Sequence, residues 1–298
     1  MAFAQFVVNG LLVGALFAAV AVGFALIWGV VDIINLAHGE MVMLGGYASY
    51  WTITLVNGSP TASPGLALAS VPVAVAVLFV VGYALQRFVV SHVIGTDLFL
   101  TLLVTFGLSI LIQQLGLQAF SADPRTISVQ FAEQSLDIAG LVVPKVKLIA
   151  FVGAVALTIA LFAFMKRTRT GRAIRAVSQN DEAAALVGID VEHVRAVTFG
   201  LSSAIAGGAG AFVAMILNIQ PQMGLIYTLK SFVIVVFGGI GSVPGALVGG
   251  LLLGTVEELT AGFVSSKWTL AVSFTLLIVL LVVKPQGLFG EGMGGEAE

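Results

Sequence analysis

Long apolar runs separated by short polar connections fill most of the 298-residue chain. A run of about 17–25 apolar residues can cross a lipid bilayer as a helix. The hydrophobic elements are residues 7–31, 41–56, 65–85, 98–120, 148–165, 196–219, 225–237, 246–256 and 268–283. Two or three of these are short enough to be half-helices or re-entrant pieces. The pattern predicts an all-α polytopic membrane protein: one transmembrane domain over residues 1–298, a bundle of about eight or nine helices, some of them short or broken.

Composition supports this fold class, because only 9% of the residues are charged, whereas a soluble domain carries about 25%. The 35 glycines suit close helix–helix contact in lipid. Small-xxx-small patterns occur at Gly10/Gly14, Gly245/Gly249 and Gly250/Gly254. The absence of cysteine excludes disulfides and thiolate chemistry. The start lacks a positively charged region, so we expect no cleavable signal peptide.

One long polar island, residues 166–195, interrupts the apolar pattern. It holds six of the 13 Lys and Arg residues and four of the 15 acidic residues. Because short cytoplasmic loops are enriched in Lys and Arg, we place the island in the cytoplasm. Nine spans then put the N-terminus outside and the C-terminus inside.

Within the island, residues 181–187 carry the signals of a short helix. The segment 178–181 supplies N-capping side chains. Asp181 and Glu182 place negative charge in the first turn, and Gly188 stands where a glycine would end the helix. A face of small residues would let another surface approach closely; its members are Ala183, Ala184 and Ala185. A solvated surface helix is the alternative interpretation.

Four sequence segments, which follow one another in a fixed order, and the C-terminal segment together form a motif set. They are INLAHGE (34–40), GRAIRAVSQNDEAAALVGI (171–189), the small-residue segment after it, FGGIGSVPGALVGGLLLG (237–254) and KPQGLFG (284–290). Together they resemble the permeases of branched-chain amino-acid ABC importers, and the chain looks most like the shorter of that family's two permeases. Glu182-Ala183-Ala184 followed by Gly188 is similar to the family's EAA loop, a coupling helix that docks into the ATPase subunit.

The resemblance implies a multi-pass permease in the bacterial inner membrane that works by alternating access. Its expected partners are a second homologous permease, two cytoplasmic ATPase subunits and an extracytoplasmic substrate-binding protein. The implied coupling loop is residues 166–195, and its coupling residues are Asp181, Glu182, Ala183, Ala184, Ala185 and Gly188. Because the chain has no G-x-x-x-x-G-K-[ST] phosphate loop, we expect no cofactor in this chain and ATP on the partner subunits. Importers of urea or short amides share these motifs and are the alternative.

Polar residues in the segment 32–40 predict a special feature between the first two spans. Asn35, His38 and Glu40 are not expected to face lipid, where a charge costs about 2.5–3.5 kcal/mol. One interpretation is a broken helix that lines the translocation pathway. The other is a plain cytoplasmic turn.

A second polar feature is a possible ion pair inside the membrane. Lys230 and Glu257 each lie about two turns from the outer end of the seventh and eighth elements. Equal depth on adjacent helices predicts that they pair, in a structural rather than a substrate-binding role. In the alternative, Lys230 snorkels to the outer interface and Glu257 lies in water.

Other classes of protein are less well supported by the sequence. A self-sufficient carrier or channel would need a coupling carboxylate inside the membrane, for which Glu40 and Glu257 are the candidates. The chain contains no GxSxG or HExxH motif, so these motifs give no reason to expect an enzyme. A metal site is not expected, because His92 and His193 are far from His38 in sequence. We expect no nucleic-acid partner.

Overall fold

The computed structural model describes residues 2–95, 97–130, 134–138, 140–284 and 286–289. Within these ranges, eight helices are long and apolar enough to cross a membrane, which confirms the predicted all-α membrane fold. Pro285 and Gly290 of the KPQGLFG ending lie outside the described residues.

Helices make up nearly all of the regular structure in these ranges. The helices are α1 (Ala2–Val31), α2 (His38–Asn57), α3 (Pro64–Phe88), α4 (Leu98–Phe120), α5 (Lys145–Arg167), α6 (Arg169–Gln179), α7 (Asp181–Leu186), α8 (Val191–Ile216), α9 (Gly224–Gly238), α10 (Val243–Phe263) and α11 (Thr269–Val283). The strands are β1 (Thr61–Ala62), β2 (Ser128–Val129), β3 (Ser135–Ile138) and β4 (Leu141–Pro144). β1 pairs with β2 in parallel, and β3 pairs with β4 in an antiparallel hairpin.

Helices α1 and α8 form the centre of the bundle. The apolar part of each is 89% buried, whereas that of α11 is 11% buried. Helix α1 packs mainly on α10 and α8, and α8 packs mainly on α3 and α2. A helix that is apolar on all sides needs protein or lipid around its whole circumference, and these two helices find protein there.

The two ends of the bundle are distinguished by their connections. Gln5 exchanges two hydrogen bonds with the backbone of Val142 in β4, which ties the start of α1 to the segment before α5. The β1–β2 pair ties the end of α2 to the same segment. The polar island follows α5 and lies at the other end of that helix. With the island in the cytoplasm, the start of α1 is therefore outside, in agreement with the predicted threading.

The polar island is more helical than a single short helix in a loop. Helix α5 continues through Arg167, α8 begins at Val191, and α6 was not predicted. Thr168 caps α6 by accepting a hydrogen bond from the Gly171 amide. Ile174 and Val177, three residues apart, are buried on one face. Because the segment 166–175 holds five basic residues, so short an amphipathic pattern is easily mistaken for a solvated loop.

The eighth element is also longer than expected. It was predicted to be a short helix that ends at Val256, but α10 has 21 residues and continues to Phe263. Glu257 and Glu258 therefore lie inside the helix. Both carboxylates face a lysine on a neighbouring helix, and this pairing offsets the cost of placing charge there.

Glycines bring α1 and α10 into backbone contact. A Cβ atom at Gly254 would collide with the backbone of Gly14, and one at Gly250 would collide with the backbone of Ala18. A Cβ atom at Gly10 would lie 2.5 Å from the Cα of Thr255. Two of the predicted small-xxx-small patterns thus face each other across one helix pair, as expected for helix association in lipid.

Replacing Gly254 by leucine should destabilise the protein by at least about 1–3 kcal/mol, because the obstructing atoms belong to backbone and cannot rotate away. The measurement is the thermal unfolding midpoint of the purified chain in detergent. Gly107→Leu on α4 is the matched control, since nothing lies within 4 Å of a Cβ atom there. Equal midpoints for the two variants would show that the α1–α10 contact does not hold the bundle together.

Candidate functional site

A break between α1 and α2 lies inside the bundle. Residues 32–37 are not helical, and they lead the chain from the end of α1 back into the interior of the bundle, where α2 begins. The ring Nε2 of His38 is 2.9 Å from the carbonyl oxygen of Val20. Val20 is eleven residues before the end of α1, which corresponds to about 16 Å along a helix. Helix α2 therefore begins deep in the bundle, and residues 32–37 are not a turn in the cytoplasm.

The three polar residues predicted in this segment are brought together and enclosed. Asn35, His38 and Glu40 are 1%, 0% and 1% exposed. Asn35 Oδ1 accepts a hydrogen bond of 3.0 Å from the Ala37 amide, and Glu40 Oε1 accepts one of 2.9 Å from Ser109 Oγ. These bonds and the bond of His38 to α1 fix the shape of the break.

Each of the three side chains also has a polar atom without a hydrogen-bond partner in the described part of the chain. These atoms are Asn35 Nδ2, His38 Nδ1 and Glu40 Oε2. A buried polar group without a partner costs about 1–3 kcal/mol. The stability of this conformation alone therefore does not account for these residue types.

Helix α9 begins beside the break. Thr228 Oγ1 accepts a hydrogen bond from the Gly39 amide and donates one to the Leu36 carbonyl, at 2.8 Å and 3.1 Å. The Glu40 carboxyl group lies so close to Gly224 that a Cβ atom there would collide with it. Two helices, α2 and α9, thus start next to each other inside the bundle.

Sequence reasoning missed the residues that other helices contribute to the break. Ser109 and Thr228 hold it from α4 and α9, and Thr105 Oγ1 donates a hydrogen bond of 3.2 Å to the Ile34 carbonyl. Single Ser and Thr residues are common in apolar helices, where they bond to their own backbone. No pattern along the chain distinguishes the ones that reach another helix.

Helix α7 in the polar island is held in place at both ends. The Asn180 side chain accepts a hydrogen bond of 2.8 Å from the Ala183 amide, and Gly188 ends the helix with a φ of 85°. The Asp181 carboxylate lies 2.6 Å from the guanidinium of Arg195 on α8. This ion pair joins the start of α7 directly to the central helix of the bundle.

The exposed face of α7 differs from the predicted alanine face. Ala184 is 4% exposed and packs into the protein, because it lies on the side of the helix that turns toward the core. Leu186 and Val187 are instead 88% and 77% exposed. We call the exposed set the coupling surface, after the role that the sequence predicts for this segment; its members are Glu182, Ala183, Ala185, Leu186 and Val187. Helical periodicity cannot orient a six-residue helix, so the sequence did not identify the two large apolar residues.

Lys230 and Glu257 lie side by side inside the bundle. Lys230 Nζ is 2.6 Å from Glu257 Oε2, and the side chains are 15% and 9% exposed. Ser273 Oγ donates a hydrogen bond of 3.0 Å to Glu257 Oε1. The ammonium group also lies 4.1 Å from the centroid of the Phe17 ring, within the range of a cation–π interaction. Lys230 is thus turned toward protein and away from the outer interface.

Comparison with known proteins gives one consistent result. The family described as "Branched-chain amino acid transport system / permease component" matches residues 6–281. The high-affinity branched-chain amino acid transport system permease protein BraD of Pseudomonas aeruginosa is 32% identical over 296 residues, which cover 97% of this chain and 96% of BraD. The corresponding LivH proteins are 32% identical in Salmonella typhimurium and 31% identical in Escherichia coli K12, with the same two coverages. These relatives are permease subunits of transport systems and not enzymes.

Proposed function

Because the chain belongs to the family of branched-chain amino acid transport permease components, we propose that it is one permease of an ATP-driven importer for branched-chain amino acids. It is a multi-pass protein of the bacterial inner membrane. The proposed partners are a second homologous permease, two ATPase subunits that bind ATP, and an extracytoplasmic binding protein. The observation that carries the proposal is the coupling surface, on a chain that has no phosphate loop of its own.

The coupling surface has the properties of a docking site for another subunit. Leu186 and Val187 expose large apolar side chains beside the small side chains of Ala183 and Ala185. Moving apolar side chains from water into a contact favours association. A groove on an ATPase subunit would cover them and remove them from water.

Helix α8 provides a direct route from the coupling surface to the break. The Asp181–Arg195 ion pair attaches α7 to its first turns. Farther along, α8 touches the backbone of α2, because Gly207 packs on Gly45 and Gly210 on Val42. Close backbone contact leaves no space in which side chains could absorb a shift. Alternating access would follow if closure of the ATPases tilts α8 and thereby moves the start of α2.

Asn35, His38 and Glu40 are the proposed pathway residues. They lie at the start of α2, and α9 begins beside them. In transporters, discontinuous helices of this kind surround the substrate near the middle of the membrane. Their unbonded polar atoms would be available to a cargo. The few charges in the membrane suit a cargo with no net charge. The described conformation is closed around them.

Replacing Glu40 by glutamine should slow ATP-driven uptake by about tenfold or more, since a hydrogen bond to a charged group is worth about 1.5–3 kcal/mol. The amide keeps the size and the oxygen that accepts from Ser109, so ATPase association should not change. The measurement is the initial rate of leucine uptake by the assembled importer in proteoliposomes. Glu258→Gln, outside the break, is the control. An unchanged uptake rate in Glu40→Gln would show that the Glu40 carboxylate does not contact the cargo in the translocation pathway.

Recovery of partners from native membranes tests the proposed function most simply. The affinity-tagged chain should bring down an ATPase subunit and a second permease in mild detergent. Recovery of the intact chain with no nucleotide-binding subunit would contradict the proposal.

The cargo is tested on the proposed extracytoplasmic binding protein. It should bind leucine, isoleucine or valine in calorimetry and should not bind urea. Selective binding of urea or a short amide would contradict the proposed cargo and would show that the chain belongs to an importer of urea or short amides.

A further inference from the structure

A cavity of about 280 Å³ opens where the apolar bundle meets the polar island. Its walls are apolar and come from three helices: Leu26 and Val30 of α1, Leu161 and Met165 of α5, and Val243 and Pro244 of α10. Its rim is polar and is formed by Lys166, Arg175 and Ser178. Lys166 is the first charged residue after the apolar run of α5, so the rim lies at the level where the hydrocarbon of the bilayer ends.

The cations at the rim are not neutralised by the protein. In the described part of the chain, the ion pairs involve Arg87, Lys147, Arg195 and Lys230, and none involves the five basic residues of the segment 166–175. Arg175 Nη1 donates a hydrogen bond to the Met165 carbonyl, which holds the guanidinium over the end of α5. Lys166 Nζ lies 5.9 Å from the centroid of the Phe162 ring, and that ring also lines the cavity.

A ligand for this cavity must combine an anionic group with an apolar tail. An anion alone would use the rim but leave the apolar walls without a partner. An uncharged hydrocarbon chain would leave the two cations without one. The volume is close to the lower end of the range of about 300–1,000 Å³ for small-molecule sites, so the cavity would hold a headgroup and part of one chain.

We propose that this cavity binds an anionic phospholipid of the cytoplasmic leaflet, with its phosphate between Lys166 and Arg175 and an acyl chain along α1 and α5. Clusters of Lys and Arg immediately cytoplasmic of a membrane helix attract anionic headgroups of that leaflet. The bound lipid would bridge α6 and the start of α10, since residues of both line the cavity. The site does not depend on which cargo the permease carries.

Lipid retention by the full-length chain tests the site. The chain is reconstituted in nanodiscs of equal amounts of phosphatidylglycerol and phosphatidylcholine, and the lipids retained on release are counted by native mass spectrometry. The unmodified chain should prefer phosphatidylglycerol by about tenfold or more, because each cation near the surface attracts anionic lipid. Lys166→Gln/Arg175→Gln should lose this preference. The matched control is Arg169→Gln/Arg172→Gln, which removes two cations of the same segment outside the cavity and should keep it.

A second variant tests the apolar part of the site. Val30→Trp fills the cavity and retains every cation, and it should lose phosphatidylglycerol as fully as the double glutamine variant. Millimolar inorganic phosphate should not displace the lipid.

Three results would overturn the proposal. In the first, the cavity variant and the control variant retain phosphatidylglycerol equally. In the second, inorganic phosphate competes with the lipid, which would make the site a phosphate site. In the third, Lys166→Gln/Arg175→Gln keeps the lipid and loses the ATPase subunit instead, which would assign the two cations to the protein partner.

Discussion

Replacing Leu186 by aspartate should abolish ATP-driven uptake while leaving the permease folded. Leu186 is 88% exposed, so the substitution removes little contact within this chain. In the assembled importer, the new carboxylate would be buried against the ATPase subunit without a partner. Loss of a hot-spot residue costs about 2–4 kcal/mol, a factor of roughly 30 to 1,000 in affinity, and burying an unpaired carboxylate adds to that cost. The measurements are ATPase co-purification and leucine uptake.

Leu55→Asp is the matched control for this experiment. Leu55 is 79% exposed in the last turn of α2, at the end of the bundle opposite to the coupling surface. That variant should retain the ATPase subunit. Glu182→Lys should behave like Leu186→Asp, because it reverses the charge of the neighbouring residue on the same surface. Normal uptake by both coupling-surface variants would show that residues 181–188 are not the coupling element.

Removing one partner of the Lys230–Glu257 pair should strongly destabilise the bundle. In Glu257→Leu, the Lys230 ammonium group stays buried without its carboxylate, and Ser273 Oγ keeps only the Thr269 carbonyl as an acceptor. Breaking a buried pair from one side costs about 3–5 kcal/mol. Glu258→Gln is the control on the next residue, where Lys147 Nζ is 4.0 Å away and both side chains are more exposed. It should cost less than about 1 kcal/mol. The measurement is the thermal unfolding midpoint in detergent.

The double variant Lys230→Met/Glu257→Leu separates a structural role from a role in transport. Replacing both partners of a buried pair by apolar residues is often neutral for stability. The double variant should therefore recover most of the stability and also the uptake rate. Recovery of stability without uptake would mean that the pair contacts the cargo, and full stability of Glu257→Leu would mean that the pair is not buried in the membrane.

The parts of the fold that depend on local sequence could be predicted. Long apolar runs identify helices in lipid because each backbone group must bond within its own segment. The cap at Asn180 and the glycine at Gly188 fix the ends of α7 for equally local reasons. The pairing of Lys230 with Glu257 could also be predicted. It needs only the rise per residue of a helix and the directions in which the two spans cross the membrane, which put both residues at equal depth.

Other features depend on tertiary contacts that no window of sequence contains. The orientation of α7, with Ala184 inside and Leu186 outside, follows from the Asp181–Arg195 ion pair. The break at residues 32–37 was recognised as polar, but its depth is set by the bond from His38 to Val20 and by Thr228 on α9. A segment that would be a turn in water becomes re-entrant because Thr105 on α4 and Thr228 on α9 donate hydrogen bonds to its backbone carbonyls.

Reconstituted transport tests the central claim, that this chain is the driven part of an importer whose energy source is on other subunits. Leucine accumulation is measured in proteoliposomes that contain the chain alone, or the chain with the second permease, the ATPases and the binding protein. We predict accumulation only with the full set and only with ATP. Leucine transport by the chain alone, without ATP, would contradict this account and identify a self-sufficient carrier or channel.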